Sequence, residues 1–169
     1  GERGSDNNLQ LKYIAKLFTD KKNRSQYKSF AVLPQFPDGD SWTNREKVSS
    51  NNNMYYKFFE NKKPTKSLSL VIKLMDSLVK TSNVNTERVY ATGLSNGGMG
   101  TFEMLYRRPD MFAAATPICG GAQPETAKLF AKKTPVWIFH GSEDNVVHPL
   151  YSVKMVEAII EAGGTPKFT

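Results

Sequence analysis

The sequence predicts an α/β fold with a mostly parallel sheet that helices cover on both faces. Short, continuous apolar runs typical of buried strands alternate with helical segments along the 169-residue chain. Two of the helical segments, 67–80 and 150–162, carry apolar residues at i, i+3, i+4 and i+7 spacing, so one face of each lies against a core. The length fits a single domain over residues 1–169.

Residue composition and the positions of Pro and Gly predict the bounds of the remaining strands, helices and loops. The predicted strands are 29–33, 88–92, 112–118 and 135–139, with the start of another at 166–169. Further helical segments are predicted at 13–19, 101–108 and 125–132. Residues 1–12 and 37–53 are rich in Gly, Asp, Asn and Ser, which predicts loops, and a loop as long as the second is often functional.

The segment Gly93–Gly97 reads G-L-S-N-G and matches the pattern G-x-S-x-G with Ser95 at its centre. A predicted strand precedes it and a predicted helix follows it, which is the context of a nucleophile elbow. Gly93 and Gly97 would permit the tight turn and leave room for the helix, so that the hydroxyl of Ser95 projects into open space. The pattern also arises by chance, and the strand, the helix and the further glycines Gly98 and Gly100 favour the functional interpretation.

A second polar segment, His140–Pro149, follows the predicted strand at 135–139. Serine chemistry needs a base that accepts the hydroxyl proton and a carboxylate that orients the base. Asp144 comes after Ser95 in the order that such folds use, Ser, then Asp or Glu, then His. The alternatives are that Asp144 only caps its loop, or that its neighbour Glu143 is the acid; Glu143 is expected to point to solvent.

Composition excludes some classes of function. The net charge of +7 comes from short, dispersed basic clusters rather than one basic stripe, which indicates a solvated surface and no nucleic-acid partner. No apolar run approaches a membrane span. One cysteine and two histidines make a structural metal site improbable, and Cys119 is expected to be a packed thiol.

Five motifs in order resemble α/β-hydrolase carboxylesterases, in particular the polyhydroxybutyrate-depolymerase-like and feruloyl-esterase-like group. They are Gly1–Asn7 (G-E-R-G-S-D-N), Leu33–Gln35 (L-P-Q), Gly93–Gly98 (G-L-S-N-G-G), Pro117–Gly121 (P-I-C-G-G) and His140–Asp144 (H-G-S-E-D). The resemblance covers almost the whole chain. It implies the α/β-hydrolase fold, ester hydrolysis without a cofactor, a small or polymeric ester as substrate, and secretion or a periplasmic location as an option.

The resemblance also implies residue roles. Ser95 would be the nucleophile and Asp144 the acid of the triad. The backbone N–H of Asn96 would be one oxyanion donor, and the segment that contains Glu2 would supply or support the other. His140 would support the acid loop.

The base is the open part of this interpretation. The resemblance places the catalytic histidine in a loop beyond the last strand, and the chain is therefore expected to be incomplete at both ends, with that histidine beyond Thr169. His148 is the alternative within the chain, although reaching Ser95 from the loop of Asp144 would need an unusual path.

The sequence thus predicts a serine carboxylesterase that acts through an acyl-enzyme on Ser95. Two alternatives stay open: a serine peptidase or thioesterase on the same fold, and an inactive or purely binding domain that lacks the triad histidine. The aromatic residues of region 36–66 either line a substrate pocket or anchor the loop to the core; they are Trp42, Tyr55, Tyr56, Phe58 and Phe59.

Overall fold

In the computed structural model, which describes residues 2–50, 53–81 and 83–169, strands and helices alternate through the second half of the chain. The α-helices are α1 (Ala15–Thr19), α2 (Lys21–Gln26), α3 (Lys66–Thr81), α4 (Asn96–Arg107) and α5 (Leu150–Glu161). The strands are β1 (Arg45–Ser50), β2 (Asn53–Phe58), β3 (Tyr90–Leu94), β4 (Ala114–Ile118), β5 (Trp137–Ile138) and β6 (Lys167–Phe168). Short 3-10 helices lie at Leu9–Leu11, Thr86–Arg88 and Pro124–Leu129.

The last four strands run parallel and lie side by side in chain order. β3 pairs with β4 over its whole length, and β5 pairs with β6. Two single bridges, Ala115 with Val136 and Ile118 with Phe139, join β4 to the β5 segment. The carboxyl ends of these strands therefore meet at one edge, where active sites of open α/β sheets form. The predicted fold class is confirmed.

The core lies between this sheet and the helices that connect its strands. Phe102 and Leu105 of α4, Ile138 of β5 and Met155 of α5 are each 0% exposed. Phe36 and Trp42 extend the core towards the N-terminal half through an edge-to-face contact with ring centroids 4.8 Å apart. The sheet and its flanking helices thus share one apolar core with the segment that precedes the hairpin.

The turn from β3 into α4 depends on two glycines that let backbones meet. A Cβ on Gly93 would lie 2.3 Å from the backbone carbonyl of Gly97, so α4 can turn back over β3 only because Gly93 has no side chain. A Cβ on Gly98 would lie 2.4 Å from the carbonyl oxygen of Ile118, which is the close approach of α4 to β4. The predicted role of Gly93 in this turn follows directly from these contacts. Gly97 contributes its backbone instead, because a Cβ there would meet no atom within 4 Å.

The expected loop at 37–53 is wrong in part. β1 and β2 form an antiparallel hairpin with Arg45 opposite Phe58 and Lys47 opposite Tyr56; residues 51 and 52 lie outside the described residues. The polar composition of β1 concealed the strand, because only one of its faces packs on the protein. That face carries Phe58, which is buried against Met99 and Val147.

The strand expected at 29–33 is also wrong. This segment has no strand pairing among the described residues, and Phe30 is 81% exposed. An apolar run becomes a strand only where a neighbouring strand accepts its backbone hydrogen bonds. Here the chain makes its first pairing at Phe36, which bridges to Arg3.

The helix predictions are confirmed for α3 and α5, with shifts of at most one residue at the ends. α4 begins at Asn96, five residues before the expected start at 101, since the glycine-rich turn is itself helical. The segment expected at 125–132 is the 3-10 helix Pro124–Leu129. α2 was missed because it carries no apolar face; the carboxylate of Asp20 caps it by accepting the N–H of Asn23. No helix in the described part of the chain is long and apolar enough to cross a membrane.

Adjacent isoleucines on α5 test the position of the core. Ile159 is 1% exposed and Ile160 is 58% exposed. We expect Ile159→Ala to lower the free energy of unfolding by about 2–5 kcal/mol, because it leaves a cavity. Ile160→Ala is the matched control and should change it by less than about 0.5 kcal/mol. Urea denaturation of the intact protein measures both values, and equal losses would place the core elsewhere.

The two glycines of the elbow make a second test. Gly93→Ala forces a Cβ into the backbone of Gly97, which costs about 3 kcal/mol or more. Gly97→Ala places its Cβ in open space and adds helix propensity, so its melting temperature should stay within a few degrees of the wild type. Thermal unfolding followed by circular dichroism distinguishes them. Similar behaviour of both variants would contradict the close approach of α4 to β3.

Candidate active site

Ser95 occupies the turn between β3 and α4 in a backbone conformation that non-glycine residues rarely adopt. Its φ is 58° and its ψ is −113°. Such a conformation costs on the order of 1–3 kcal/mol and persists only where surrounding contacts hold it. Here the N–H of Ser95 donates to the carbonyl of Ile118 at 2.9 Å, and its carbonyl accepts the N–H of Met99 at 3.0 Å. The half-buried side chain lies at the carboxyl edge of the sheet, at the N-terminus of α4.

Cys119 lies beside Ser95 at the end of β4 and is the second non-glycine residue of the site with positive φ, at 39°. Burial raises the pKa of its thiol; the nearby backbone N–H of Ser95 has the opposite effect, and the negative charge of Asp144 raises the pKa further. The thiol is therefore protonated at neutral pH, as the sequence interpretation of a packed thiol expects. The same interactions place Cys119 between the nucleophile turn and the acid loop.

Asp144 is held by the loop that follows β5. Its Oδ1 accepts the N–H of Val146 at 2.9 Å and the N–H of Val147 at 3.0 Å. Burial alone would raise the pKa of this carboxyl, but the two N–H groups and the neighbouring His140 together hold it below its usual range. The side chain is 21% exposed, so the ionised carboxylate remains accessible at the sheet edge. Glu143, its predicted competitor, is exposed.

His140 is fully buried and ties the acid loop to two other elements. Its Nδ1 lies 2.7 Å from Ser152 Oγ, which donates its own proton to the carbonyl of Gly120 at 3.0 Å. Its Nε2 lies 2.8 Å from the carbonyl of Val147 and 3.4 Å from Asp144 Oδ2. Both ring nitrogens of His140 are thus engaged by contacts within the protein, and one of them faces the carboxylate of Asp144. Neither nitrogen is available to accept a proton from Ser95.

His148 does not lie against Ser95, where a general base would have to accept the hydroxyl proton. It is exposed, and its Nδ1 accepts the N–H of Leu150 at 3.2 Å at the start of α5. Within the described part of the chain, the hydroxyl of Ser95 forms no hydrogen bond with a histidine. The structure thus brings Ser95, Cys119, Asp144 and His140 to one edge and does not join His148 to the nucleophile.

Arg45 is a residue of this site that the sequence interpretation missed. Its Nη2 donates to Oδ1 of Asn96, the residue directly after Ser95, and its Nη1 donates to Thr43 Oγ1 at 3.0 Å. Its guanidinium also lies 4.9 Å from the ring centroid of Tyr56. No sequence signal connects positions 45 and 96, since only the hairpin brings them together.

The segment expected to support the oxyanion is described from Glu2 onward, whereas Gly1 lies outside the described residues. Glu2 is half-buried, and its carboxylate accepts the hydroxyl proton of Tyr13 at 3.3 Å. The chain is fixed just after it, where the N–H of Gly4 donates to the carbonyl of Phe36 at 3.0 Å. The oxyanion roles of Glu2 and Asn96 remain predictions.

Two further features describe the surroundings. A shallow cleft of about 270 Å³ opens at the base of the hairpin, where Asp40, Thr43, Arg45 and Lys62 are among its lining residues. Among the described residues, no group of three or more His, Cys, Asp or Glu side chains is arranged to hold a metal ion.

Comparisons with known proteins agree with this geometry. Residues 49–130 match the model of the prolyl oligopeptidase family. The match includes the turn with Ser95 and ends before the loop of Asp144.

Similar sequences and structures include esterases and a depolymerase. The chain is 32% identical over 84 residues to a bifunctional acetylxylan esterase/xylanase of Neocallimastix patriciarum, covering 50% of the chain and 12% of that protein. It is 35% identical over 98 residues to poly(3-hydroxyalkanoate) depolymerase C of Paucimonas lemoignei, covering 56% of the chain and 21% of that protein. A thermostable esterase of known structure superposes over 100% of the chain and 43% of its own, with 33% identity and a TM-score of 0.84.

The chain therefore spans less than half the length of each of these relatives. Within that span, the strand order, the turn at Ser95 and the matches agree with one another. The chain has the α/β-hydrolase fold and resembles carboxylesterases in sequence and structure.

Proposed function

We propose that this chain carries the nucleophile and the acid of a serine carboxylesterase. The observation that carries the proposal is the conformation of Ser95, which has φ 58° at the carboxyl end of a parallel strand and directly before a helix. A strained turn of this kind presents the hydroxyl outward and the helix N-terminus towards it. The similarity to an acetylxylan esterase and a polyhydroxyalkanoate depolymerase favours acetylated sugars or aliphatic polyesters as substrates.

The reaction has two steps. Ser95 Oγ attacks the ester carbonyl while a histidine takes its proton, and the oxygen of the tetrahedral intermediate becomes an anion. The backbone N–H of Asn96, at the start of α4, donates to that anion, and the Glu2 segment supports the second donor. The alcohol leaves with the proton from the histidine. Water then attacks the acyl group on Ser95, and the acid is released.

Asp144 orients the histidine and offsets the positive charge that develops on it. Its Oδ1 is engaged by the loop N–H groups, whereas Oδ2 faces His140 at 3.4 Å and the solvent edge. Both ring nitrogens of His140 are engaged within the protein, and His148 accepts the N–H of Leu150, so we assign the base to a histidine other than these two. His140 acts as the support that keeps the acid loop in place.

Removal of the nucleophile tests the proposal. In the intact protein, Ser95→Ala should lower kcat for hydrolysis of a short-chain p-nitrophenyl ester by about 10⁵-fold or more, because the acyl-enzyme cannot form. Ser25→Ala, on the exposed surface of α2, is the matched control and should retain wild-type activity.

Asp144→Asn should lower kcat by about 10⁴-fold, and the exposed neighbour Glu143→Gln should leave it within about twofold. Near wild-type turnover of the p-nitrophenyl ester by Ser95→Ala would overturn the proposal that Ser95 is the nucleophile.

A serine peptidase is the second candidate, and the match to the prolyl oligopeptidase family favours it. Both activities use the same nucleophile, so the substrate must distinguish them. For an ester and an anilide with the same acyl group, we expect kcat/KM for the ester to be at least about a hundredfold higher, because anilides have the poorer leaving group. Faster, Ser95-dependent cleavage of a peptide anilide would favour the peptidase instead.

A further inference from the structure

The β1–β2 hairpin presents two cations on the face that packs over the site. Side chains alternate between the faces of a strand, so Arg45 and Lys47 share one face with their cross-strand partners Phe58 and Tyr56. Phe58 is buried against Met99 of α4, which identifies this face as the inner one. The inner face thus places positive charge beside the start of α4.

Arg45 is fixed in this position by several contacts. It is half-buried, donates to Asn96 Oδ1 and Thr43 Oγ1, and lies over the ring of Tyr56. Burial lowers the pKa of its guanidinium; Tyr56 has the opposite effect, and the nearby positive charge of Arg3 lowers the pKa again. Two of its five N–H groups are used in these bonds, so the fork has N–H groups left for a ligand.

Arg3 brings a second guanidinium to the same place from a different part of the chain. Its backbone bridges to Phe36, and its guanidinium lies 5.8 Å from the centroid of that ring. Arg3 belongs to the segment that the oxyanion interpretation places next to the nucleophile, and Asn96 belongs to the elbow. Arg3 therefore lies on one expected oxyanion segment, and Arg45 contacts the other through Asn96.

The acidic residues near the hairpin are turned away or engaged elsewhere. Glu46 alternates to the outer face, opposite Lys57. Asp40 accepts the backbone N–H and the hydroxyl of Ser67, at 2.9 and 2.6 Å. Within the described residues, neither Arg3 nor Arg45 forms an ion pair with a carboxylate. Like charges brought close together without a neutralising group are best satisfied by an anionic ligand.

We propose that Arg45, with Arg3, forms a cationic subsite beside Ser95 that selects esters bearing a carboxylate. This inference rests on the proposed esterase function and defines the substrate class further. A carboxylate is the ligand that a guanidinium fork binds in a bidentate manner. Lys47 adds a further positive charge on the inner face, where its Nζ lies 6.0 Å from the centroid of the Tyr56 ring.

The test compares substrates that differ only in charge. The first pair is p-nitrophenyl hydrogen adipate and p-nitrophenyl methyl adipate, which places the carboxylate in the acyl group. The second pair is 4-acetoxybenzoate and methyl 4-acetoxybenzoate, which places it in the leaving group. For the wild type, we expect kcat/KM to favour the charged member of at least one pair by about tenfold, and the preference to fall with added salt.

Substitutions of Arg45 and Arg3 test whether these residues cause the preference for the charged substrate. Arg45→Gln should remove the ratio between charged and neutral substrate, whereas Arg45→Lys should retain part of it. Arg3→Gln, at an exposed position, lowers the ratio without disturbing the hairpin contacts of Arg45. Lys57→Gln removes the same charge from the outer face and is the matched control, which should keep the wild-type ratio. Because the readout is the ratio within a pair, an equal loss of activity on both members cancels, and only a change in the ratio supports the subsite.

The two proposals fail in distinguishable ways. Ser95-dependent hydrolysis of the neutral esters with no preference for the charged ones would overturn the cationic subsite and leave the esterase standing. An unchanged preference in both Arg45→Gln and Arg3→Gln would also overturn the subsite. Absence of Ser95-dependent hydrolysis for all four substrates would overturn the esterase proposal, and the subsite with it.

Discussion

The contact between the backbones of Gly93 and Gly97 is the constraint on which the site depends. α4 can turn back over β3 only because the two chain segments meet where Gly93 has no Cβ. The residue between them, Ser95, then adopts its positive φ, and the surrounding bonds to Ile118 and Met99 maintain it. The free energy that this strain costs is supplied by the core that α4 forms with the sheet, in which Phe102 and Leu105 are fully buried.

The parallel pairing of the strands brings other polar residues to the same sheet edge as Ser95. Because β3, β4 and β5 end at the same edge, Ser95, Cys119 and the acid loop follow one another across neighbouring strands. His140 fixes the acid loop from within the protein, through Ser152 of α5 and the carbonyl of Gly120. Asp144 therefore depends on packing from two elements, and the loop N–H groups together with His140 hold the pKa of its carboxyl below the usual range despite its partial burial. The hairpin completes the edge, with Arg45 and Phe58 over the start of α4.

Sequence patterns predicted the parts of this structure that local chemistry determines. The amphipathic spacing in α3 and α5, the buried strand before Ser95 and the glycines of the elbow each carry their own physical signal, and the structure has all of them. The parts that could not be predicted depend on distant partners. Residues 29–33 resemble a strand but have no pairing among the described residues, and β1 looks like a loop because one of its faces is polar. Arg45 reaches Asn96 only through the fold, so no spacing along the chain reveals it.

The central claim is that Ser95 forms a covalent acyl-enzyme. Rapid-quench mass spectrometry of the intact protein, mixed with a p-nitrophenyl ester and digested, measures this directly. The account predicts one added acyl group, located on the peptide that contains Ser95 and absent from Ser95→Ala. Ester turnover without an acylated peptide, or acylation at another residue that supports turnover, would contradict it.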